Sequence, residues 1–267
     1  MSVILVTGAS SGFGKASAAR LLQRGHRVYG TSRRAPLQPA ISQGIQMIRM
    51  DVNDDQSVRH GIDLIVEREG RLDVVINNAG FCVSGAVEDV PIDSVRAQFE
   101  TNFFGALRVC QAVLPVMRAQ KSGRIINISS VAGIISQPFQ GFYAASKFAI
   151  EGMTEALSME VRPFGIYVVL VEPGDFHTGF TASRRTIKAS EAYQANMTRA
   201  LEVSEHDELH GAHPDKLAAL IDRIVRSRRP RLRYIVGPFY ERIAVWLKKI
   251  LPPRLFEWAL SMYYKQK

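Results

Sequence analysis

Cysteine is scarce in this sequence: its 267 residues include only Cys82 and Cys110. Two cysteines so spaced can supply neither a disulfide framework nor the ligand pattern of a metal site. We therefore expect two reduced thiols that are buried or half-buried, a cytoplasmic protein and no metal centre.

Long apolar runs are also missing. No stretch approaches the roughly 18 apolar residues that a membrane-spanning helix needs. The first residues, Met1–Val6, lack the basic segment and small-residue cleavage site of a signal peptide. They pass directly into a glycine turn, and we therefore interpret them as a strand.

Acidic residues are few near the C-terminus. Residues 223–267 contain twelve Lys or Arg and two Glu, a net charge of +10, whereas the whole chain carries +9. The basic character thus belongs to this segment, and the rest of the chain is nearly neutral. Nucleic-acid binding has only this charge in its favour and no recognition motif, so we expect no nucleic-acid partner.

Short β-branched apolar runs alternate with amphipathic stretches along the chain. Such runs predict strands that are covered on both faces, and the alternation predicts a parallel sheet. We expect an α/β fold with a single Rossmann-type, doubly wound domain and a seven-stranded parallel sheet. The predicted strands are 3–6, 27–30, 46–50, 72–76, 123–128, 166–171 and 232–236, and the predicted helices are 12–25, 54–69, 91–119, 142–163 and 214–228.

Two segments depart from this alternation. Residues 175–213 form a long polar insertion, which we expect to be a mobile lid that closes over a substrate. Residues 238–267 contain two basic amphipathic helical patterns separated by Pro252-Pro253. We expect residues 1–237 to form the main domain and this extension to pack on it or on a neighbouring subunit. Contact with an anionic membrane surface is the alternative.

A glycine-rich turn follows the first predicted strand and leads at once into a helix. Glycines permit the tight turn, and the helix N-terminus favours an anion, so this context predicts a pyrophosphate site. The candidate cofactor-binding residues here are Gly8, Ser10, Ser11, Gly12, Phe13 and Gly14.

The end of the second strand lacks the carboxylate that would bind an adenosine ribose and repel a 2′-phosphate. The sequence there is Thr31-Ser32-Arg33-Arg34, and the next acid is Asp51. An arginine fork suits a phosphate monoester, and Ser32 can donate to it. We therefore expect Ser32, Arg33 and Arg34 to select NADP(H) over NAD(H).

Tyr143 and Lys147 stand four residues apart at the start of a predicted helix, which places phenol and ammonium on one face. A cation beside a phenol stabilises the phenolate and suits the phenol to acid–base catalysis. Further polar side chains end neighbouring strands. Because doubly wound folds bind ligands at the carboxyl ends of their strands, these groups form one candidate site. They are Asn77–Gly80, Asn102, Ser129, Ser130, Pro173, Gly174 and Thr178.

Together these motifs resemble the short-chain dehydrogenase/reductase family over residues 3–237. The resemblance implies that Tyr143 is the general acid/base and that Lys147 lowers its pKa and binds the nicotinamide ribose. It also implies that Ser130 hydrogen-bonds the substrate oxygen and that Asn102 holds a proton-relay water. The remaining implied cofactor contacts are Asp51 and Val52 to adenine, Thr178 to the carboxamide, and Asn78, Ala79, Gly80, Pro173 and Gly174 along the cleft.

A narrower likeness involves residues 131–139 and 231–234, which resemble the branch with 17β-hydroxysteroid and retinol dehydrogenases. It implies an apolar steroid-, retinoid- or lipid-like carbonyl or alcohol substrate. We also expect a homo-oligomer, either a dimer or a tetramer. Ile134, Ile135, Phe139 and Phe142 either form an apolar wall beside the reacting carbon or are ordinary packing residues. Carbonyl reduction is the expected activity. Alcohol oxidation, an idle NADP(H)-binding sensor or scaffold, and a membrane-recruited lipid enzyme are the alternatives.

Overall fold

A computed structural model describes residues 1–36 and 38–266, the side chain of Ala182 excepted. Strands and helices alternate along most of the chain. The strands are β1 Val3–Val6, β2 Arg27–Ser32, β3 Ala40–Ser42, β4 Ile45–Arg49, β5 Val74–Asn77, β6 Val83–Ser84, β7 Gly123–Ile128, β8 Ile166–Pro173, β9 Arg185–Thr186 and β10 Arg233–Val236. The helices are α1 Gly12–Gln23, α2 Asp55–Glu69, α3 Ile92–Phe99, α4 Gly105–Gln120, α5 Gly141–Val161, α6 Phe180–Ser183, α7 Glu191–Leu209, α8 Pro214–Arg226, α9 Phe239–Ile250 and α10 Pro253–Tyr263.

The main sheet has eight strands in the order β10-β8-β7-β5-β1-β2-β4-β3. The seven predicted strands are all present and parallel, and the α/β Rossmann-type class is confirmed. The eighth strand, β3, pairs antiparallel with β4 at the edge of the sheet. Its Ile41 is exposed, so this short segment lacks the buried apolar run by which the other strands were predicted.

Successive side chains of each central strand enter two different apolar clusters, as expected of a parallel sheet with helices on both faces. Leu5 and Val75 lie in a cluster with Val113 of α4. Ile4 and Ile76 lie in the other cluster, which also contains buried residues of α1 and α8. The consecutive apolar residues of β1 and β5 are therefore buried on both sides, and the sheet forms a rigid base for the site.

The predicted helix 91–119 contains a π turn. Residues Glu100–Phe104 adopt it between α3 and α4, and the Gly105 N–H donates to the carbonyl of Glu100. Such turns insert a residue into a helix and are frequent at functional sites. Here the turn carries the buried Asn102, a detail that apolar periodicity does not reveal.

Helix α7 lies inside the long polar insertion 175–213, in which no helix was predicted. Its buried positions are Met197, Ala200, Ser204 and Glu208. Their spacing is helical, but two of them are polar and one is small, so the sequence shows no apolar stripe. The pairing of β9 with β6 also connects this segment to the rest of the domain. Its mobility without ligand stays a prediction.

The C-terminal extension forms two helices, as predicted, and both pack on the main domain. Val245 of α9 is buried against Val131 and Ile135, and Phe256 and Leu260 of α10 pack against the same cluster. The inner face of α9 therefore supports the segment that follows β7. None of the helices in the described ranges is long and apolar enough to cross a bilayer.

We expect Val245→Ala to lower the free energy of unfolding by about 1–3 kcal/mol, because it removes buried methyl groups and leaves a cavity. Ile243→Ala on the same helix is the matched control. Ile243 is 41% exposed, so its truncation should change stability by less than about 0.5 kcal/mol. Urea denaturation of both variants measures the difference, and equal losses would mean that α9 is not held by this contact.

Candidate active site

A cleft of about 550 Å³ opens at the carboxyl ends of the parallel strands, where the topology of the sheet places a ligand. Nearly all the predicted site residues line it. Gly14, Asn77 and Asn102 are buried and do not line it. The predicted residues in the lining are Gly8, Ser10, Ser11, Gly12, Phe13, Ser32, Arg33, Arg34, Asp51, Val52, Asn78, Ala79, Gly80, Ser129, Ser130, Tyr143, Lys147, Pro173, Gly174 and Thr178.

The turn between β1 and α1 has the geometry of a phosphate cradle. Gly8 and Gly12 have positive φ angles of 65° and 52°, which favour glycine. A Cβ at Gly14 would overlap the carbonyl of Gly8, so the close approach of turn and helix requires glycine there. The first turn of α1 contains no acid. The N-terminus of α1 therefore fits the pyrophosphate of a dinucleotide.

The end of β5 is bonded directly to this turn. The Thr7 hydroxyl accepts from the N–H groups of Asn78 and Ala79 at 2.9 and 3.0 Å. The Asn78 amide in turn donates to the carbonyls of Thr7 and Gly8 at 2.9 and 3.2 Å. Asn78 thus holds the phosphate turn in place as well as lining the cleft.

Two exposed arginines follow β2 at the far end of the cleft. Among the described residues, no acid forms an ion pair with Arg33 or Arg34. The Ser32 hydroxyl accepts the Arg34 N–H at 3.1 Å, and Asp51 accepts the Asn53 N–H at 3.0 Å. This end of the cleft therefore offers positive charge to a ligand, and Asp51 in the lining is bonded within its own loop.

Tyr143, Lys147 and Ser130 meet at the centre of the cleft. The Lys147 ammonium lies 5.7 Å from the centre of the Tyr143 ring and donates to the Ile128 carbonyl at 2.9 Å. The Ser130 hydroxyl accepts the Ala132 N–H at 3.0 Å and lies 3.3 Å from the Pro173 carbonyl oxygen. The start of α5 thus brings acid and cation to the ends of β7 and β8.

Burial governs the protonation of this centre in the protein alone. It raises the pKa of Tyr143 well above 10, and the hydrogen bond with Ser130 opposes it only in part. It also lowers the pKa of Lys147 to about 8. The phenol is therefore protonated at neutral pH, and the lowering of its pKa by Lys147 stays a prediction.

Asn102 acts through its neighbours. Its amide oxygen accepts the Phe81 N–H at 3.0 Å, and its nitrogen donates to the Phe81 carbonyl and the Ser146 hydroxyl, both at 3.0 Å. Ser146 donates to the Tyr143 carbonyl at 2.7 Å. The side chain thus joins the π turn to the catalytic helix α5. Both polar atoms of the side chain are engaged in these bonds, and its hold on a relay water stays a prediction.

The sequence left two interpretations of Ile134, Ile135, Phe139 and Phe142: an apolar wall beside the reacting carbon, or ordinary packing residues. The structure does not place them in such a wall. Ile135 is buried against Val245 and Ile134 packs in the same cluster, so both are packing residues and neither lines the cleft. The same lining contains neither Phe139 nor Phe142. Aromatic residues from other segments take their place, including Phe180 at 5.7 Å from Tyr143. The aromatic residues in the lining besides Tyr143 are Phe13, Phe81, Phe176 and Phe180.

Three acids in the lining were missed from the sequence: Asp175, Glu208 and Glu241. The Glu241 carboxylate accepts the Asp175 N–H at 2.9 Å, and a side chain at Gly174 would overlap it. Burial, followed by the charge of Asp175, raises the pKa of Glu241 to about 9. A signal was available, because Glu241 is one of only two acids in the basic segment 223–267.

The fold and this array define a class of protein. Residues 2–189 match the short chain dehydrogenase family, and the chain belongs to it. It is accordingly an oxidoreductase of that family, acting on carbonyl or alcohol groups.

Individual relatives cover nearly the whole chain. It is 46% identical to a 3-ketodihydrosphingosine reductase of Bacteroides thetaiotaomicron, over 98% of this chain and 97% of that protein. It is 33% identical to human retinol dehydrogenase 8, over 86% of this chain and 79% of that one. The crystal structure of a short-chain dehydrogenase from Streptomyces avermitilis superposes with a TM-score of 0.83 at 34% identity, covering 97% and 96% of the two chains.

Proposed function

We propose that this protein is an NADP(H)-dependent reductase of a ketone carried on a long apolar chain. The observation that carries the proposal is the meeting of Tyr143, Ser130 and Lys147 in one cleft with a phosphate cradle at its other end. NADP(H) is mostly reduced in cells, so carbonyl reduction is the favoured direction. The nicotinamide supplies the hydride when bound.

The chain's own residues then handle the carbonyl oxygen. The Ser130 hydroxyl donates a hydrogen bond to it and stabilises the negative charge that develops there. Tyr143 donates the proton that completes the alcohol. The Lys147 ammonium, held by the Ile128 carbonyl, stabilises the phenolate that remains. Asn102 keeps the start of α5 in position through Ser146.

The two directions should depend on pH with opposite signs. Reduction requires the Tyr143 phenol and oxidation requires the phenolate, and burial raises the pKa of this group. We expect the rate of ketone reduction to be highest at neutral pH and to fall in the alkaline range, and that of alcohol oxidation to rise there. Steady-state rates at saturating cofactor test this, and reduction that increases with pH would assign the proton to another group.

A reductase can be separated from an idle NADP(H)-binding protein by a single assay. We expect the purified protein to oxidise NADPH in the presence of ketones, with kcat/KM rising as the apolar chain lengthens. The aromatic lining supports this preference. Binding of NADPH without turnover on any ketone of the series would favour the sensor or scaffold function.

Asp175 and Glu241 adjoin in the cleft lining, and this acid pair suggests a more specific substrate, an amino ketone. A 3-ketosphingoid base carries a primary amine beside its ketone, and a buried carboxylate is the natural partner for that ammonium. Among the described residues, the second carboxylate oxygen of Glu241 is buried without a hydrogen-bond partner. Burial raises the pKa values of both Asp175 and Glu241, and an ammonium bound beside them would favour their ionised forms.

Replacing Glu241 should therefore change specificity. We expect the protein to prefer a long-chain 2-amino-3-ketone over the same ketone without the amine. Glu241→Gln keeps an acceptor for the Asp175 N–H but cannot ionise beside a bound ammonium, and should reduce the ratio of the two kcat/KM values by roughly 10- to 100-fold. Glu257→Gln on exposed α10 is the control and should leave the ratio as it is. An unchanged ratio in Glu241→Gln would remove the amine from the proposal.

A further inference from the structure

The C-terminal hairpin, which we define as α9 and α10, exposes an apolar stripe on each helix. The residues recur at three- or four-residue spacing, so each set lies along one face of its helix. Trp246 is 60% exposed and Trp258 is 62% exposed. The α9 stripe is Phe239, Ile243, Trp246 and Ile250, and the α10 stripe is Leu255, Trp258 and Met262.

These stripes are not the surfaces that hold the hairpin to the domain. Val245 on the opposite side of α9, and Phe256 and Leu260 of α10, make that contact. One face of each helix is therefore packed in the fold, and a second apolar face is exposed to solvent. Soluble proteins rarely expose large apolar patches unless these bind something.

The charges beside the stripes indicate what binds there. Arg242 and Lys249 of α9 and Arg254 of α10 are exposed, within the segment that carries a net charge of +10. A second copy would bring two such charges together, which opposes self-association through this face. An anionic bilayer attracts the basic residues and accepts the aromatic side chains at its interface.

We propose that the C-terminal hairpin docks on the surface of an anionic lipid bilayer, with Trp246 and Trp258 at the level of the headgroups. The docking helix also carries Glu241, which lines the cleft on the inner side of α9. Docking would then bring the cleft close to the lipid in which an apolar long-chain substrate is dissolved. Membrane docking itself does not depend on the proposed function. The advantage of bringing the cleft close to a lipid-dissolved substrate does depend on it.

The chain allows an unusually direct test, because Trp246 and Trp258 are its only tryptophans. Intrinsic tryptophan fluorescence therefore reports on the docking face alone. We expect a blue shift when vesicles of phosphatidylcholine with about one-third phosphatidylglycerol are added, and flotation of the full-length protein with them. Pure phosphatidylcholine vesicles should bind at least 10-fold more weakly, since they lack the negative charge.

Two sets of variants separate apolar from electrostatic contributions. Trp246→Ala combined with Trp258→Ala should reduce flotation at least 10-fold, and Arg242→Gln combined with Lys249→Gln should remove the preference for anionic vesicles. The control is Ile92→Ala combined with Met159→Ala, which removes exposed apolar side chains from α3 and α5 and should float like the parent.

Other outcomes would overturn the proposal. If the protein showed no blue shift and no flotation at any phosphatidylglycerol content, membrane docking would be excluded. A dimer in light scattering that the tryptophan variant dissociates, together with absence of flotation, would assign the face to a second copy. Turnover of a short water-soluble ketone by the parent protein without vesicles tests the proposed function separately, so the failure of one idea is not the failure of the other.

Discussion

Tyr143→Phe is expected to reduce ketone turnover by roughly 10²- to 10⁴-fold, the usual contribution of a positioned general acid. The phenol is buried, is hydrogen-bonded with Ser130 and lies beside Lys147. The ring of phenylalanine fills the same space, so the packing against Phe180 persists. The affinity for NADPH, measured by fluorescence titration, should therefore stay within a few-fold.

Two further variants make this result specific. Tyr193→Phe removes a hydroxyl that bonds Glu88 at 2.8 Å outside the cleft lining, and should retain full activity. Lys147→Ala should weaken both turnover and NADPH binding, because the ammonium also faces the expected ribose site. Substantial turnover by Tyr143→Phe would mean that another group is the acid.

Arg33→Ala is expected to weaken NADPH binding by roughly 1–3 kcal/mol, or about 5- to 150-fold, because a charge-assisted hydrogen bond to the 2′-phosphate is lost. NADH has no such phosphate, and its affinity should change little. The parent protein should bind NADPH more tightly than NADH. Calorimetric titration with both cofactors measures the two differences.

Arg49→Ala is the matched control, because Arg49 is an exposed arginine at the end of β4 that does not line the cleft. It should leave both affinities unchanged. Equal affinity of the parent for NADPH and NADH would contradict the proposed cofactor preference. Equal losses of NADPH affinity in Arg33→Ala and Arg49→Ala would attribute the effect to general surface charge and not to a contact with the 2′-phosphate.

The catalytic centre could be predicted because its residues occupy local positions with a shared geometry. Ser130 and Gly174 each follow a strand, and Tyr143 and Lys147 lie on one helix face. The carboxyl ends of parallel strands meet at one edge, so recognising the strands was enough to bring these groups together. The π turn at Asn102 escaped prediction because one inserted residue hardly disturbs a helical pattern.

The sequence by itself determined the parallel sheet, the phosphate turn and the identity of the central side chains, because each depends on short-range periodicity or on residues next to a strand end. Only the tertiary structure decided that Glu241 reaches Asp175, 66 residues away, and that Ile135 packs on α9 instead of facing the cleft. It also decided which face of α9 is buried and which leaves Trp246 in water. These outcomes depend on packing between distant segments. An amphipathic pattern predicts that one face of a helix will be covered, but it does not identify the residues that cover it.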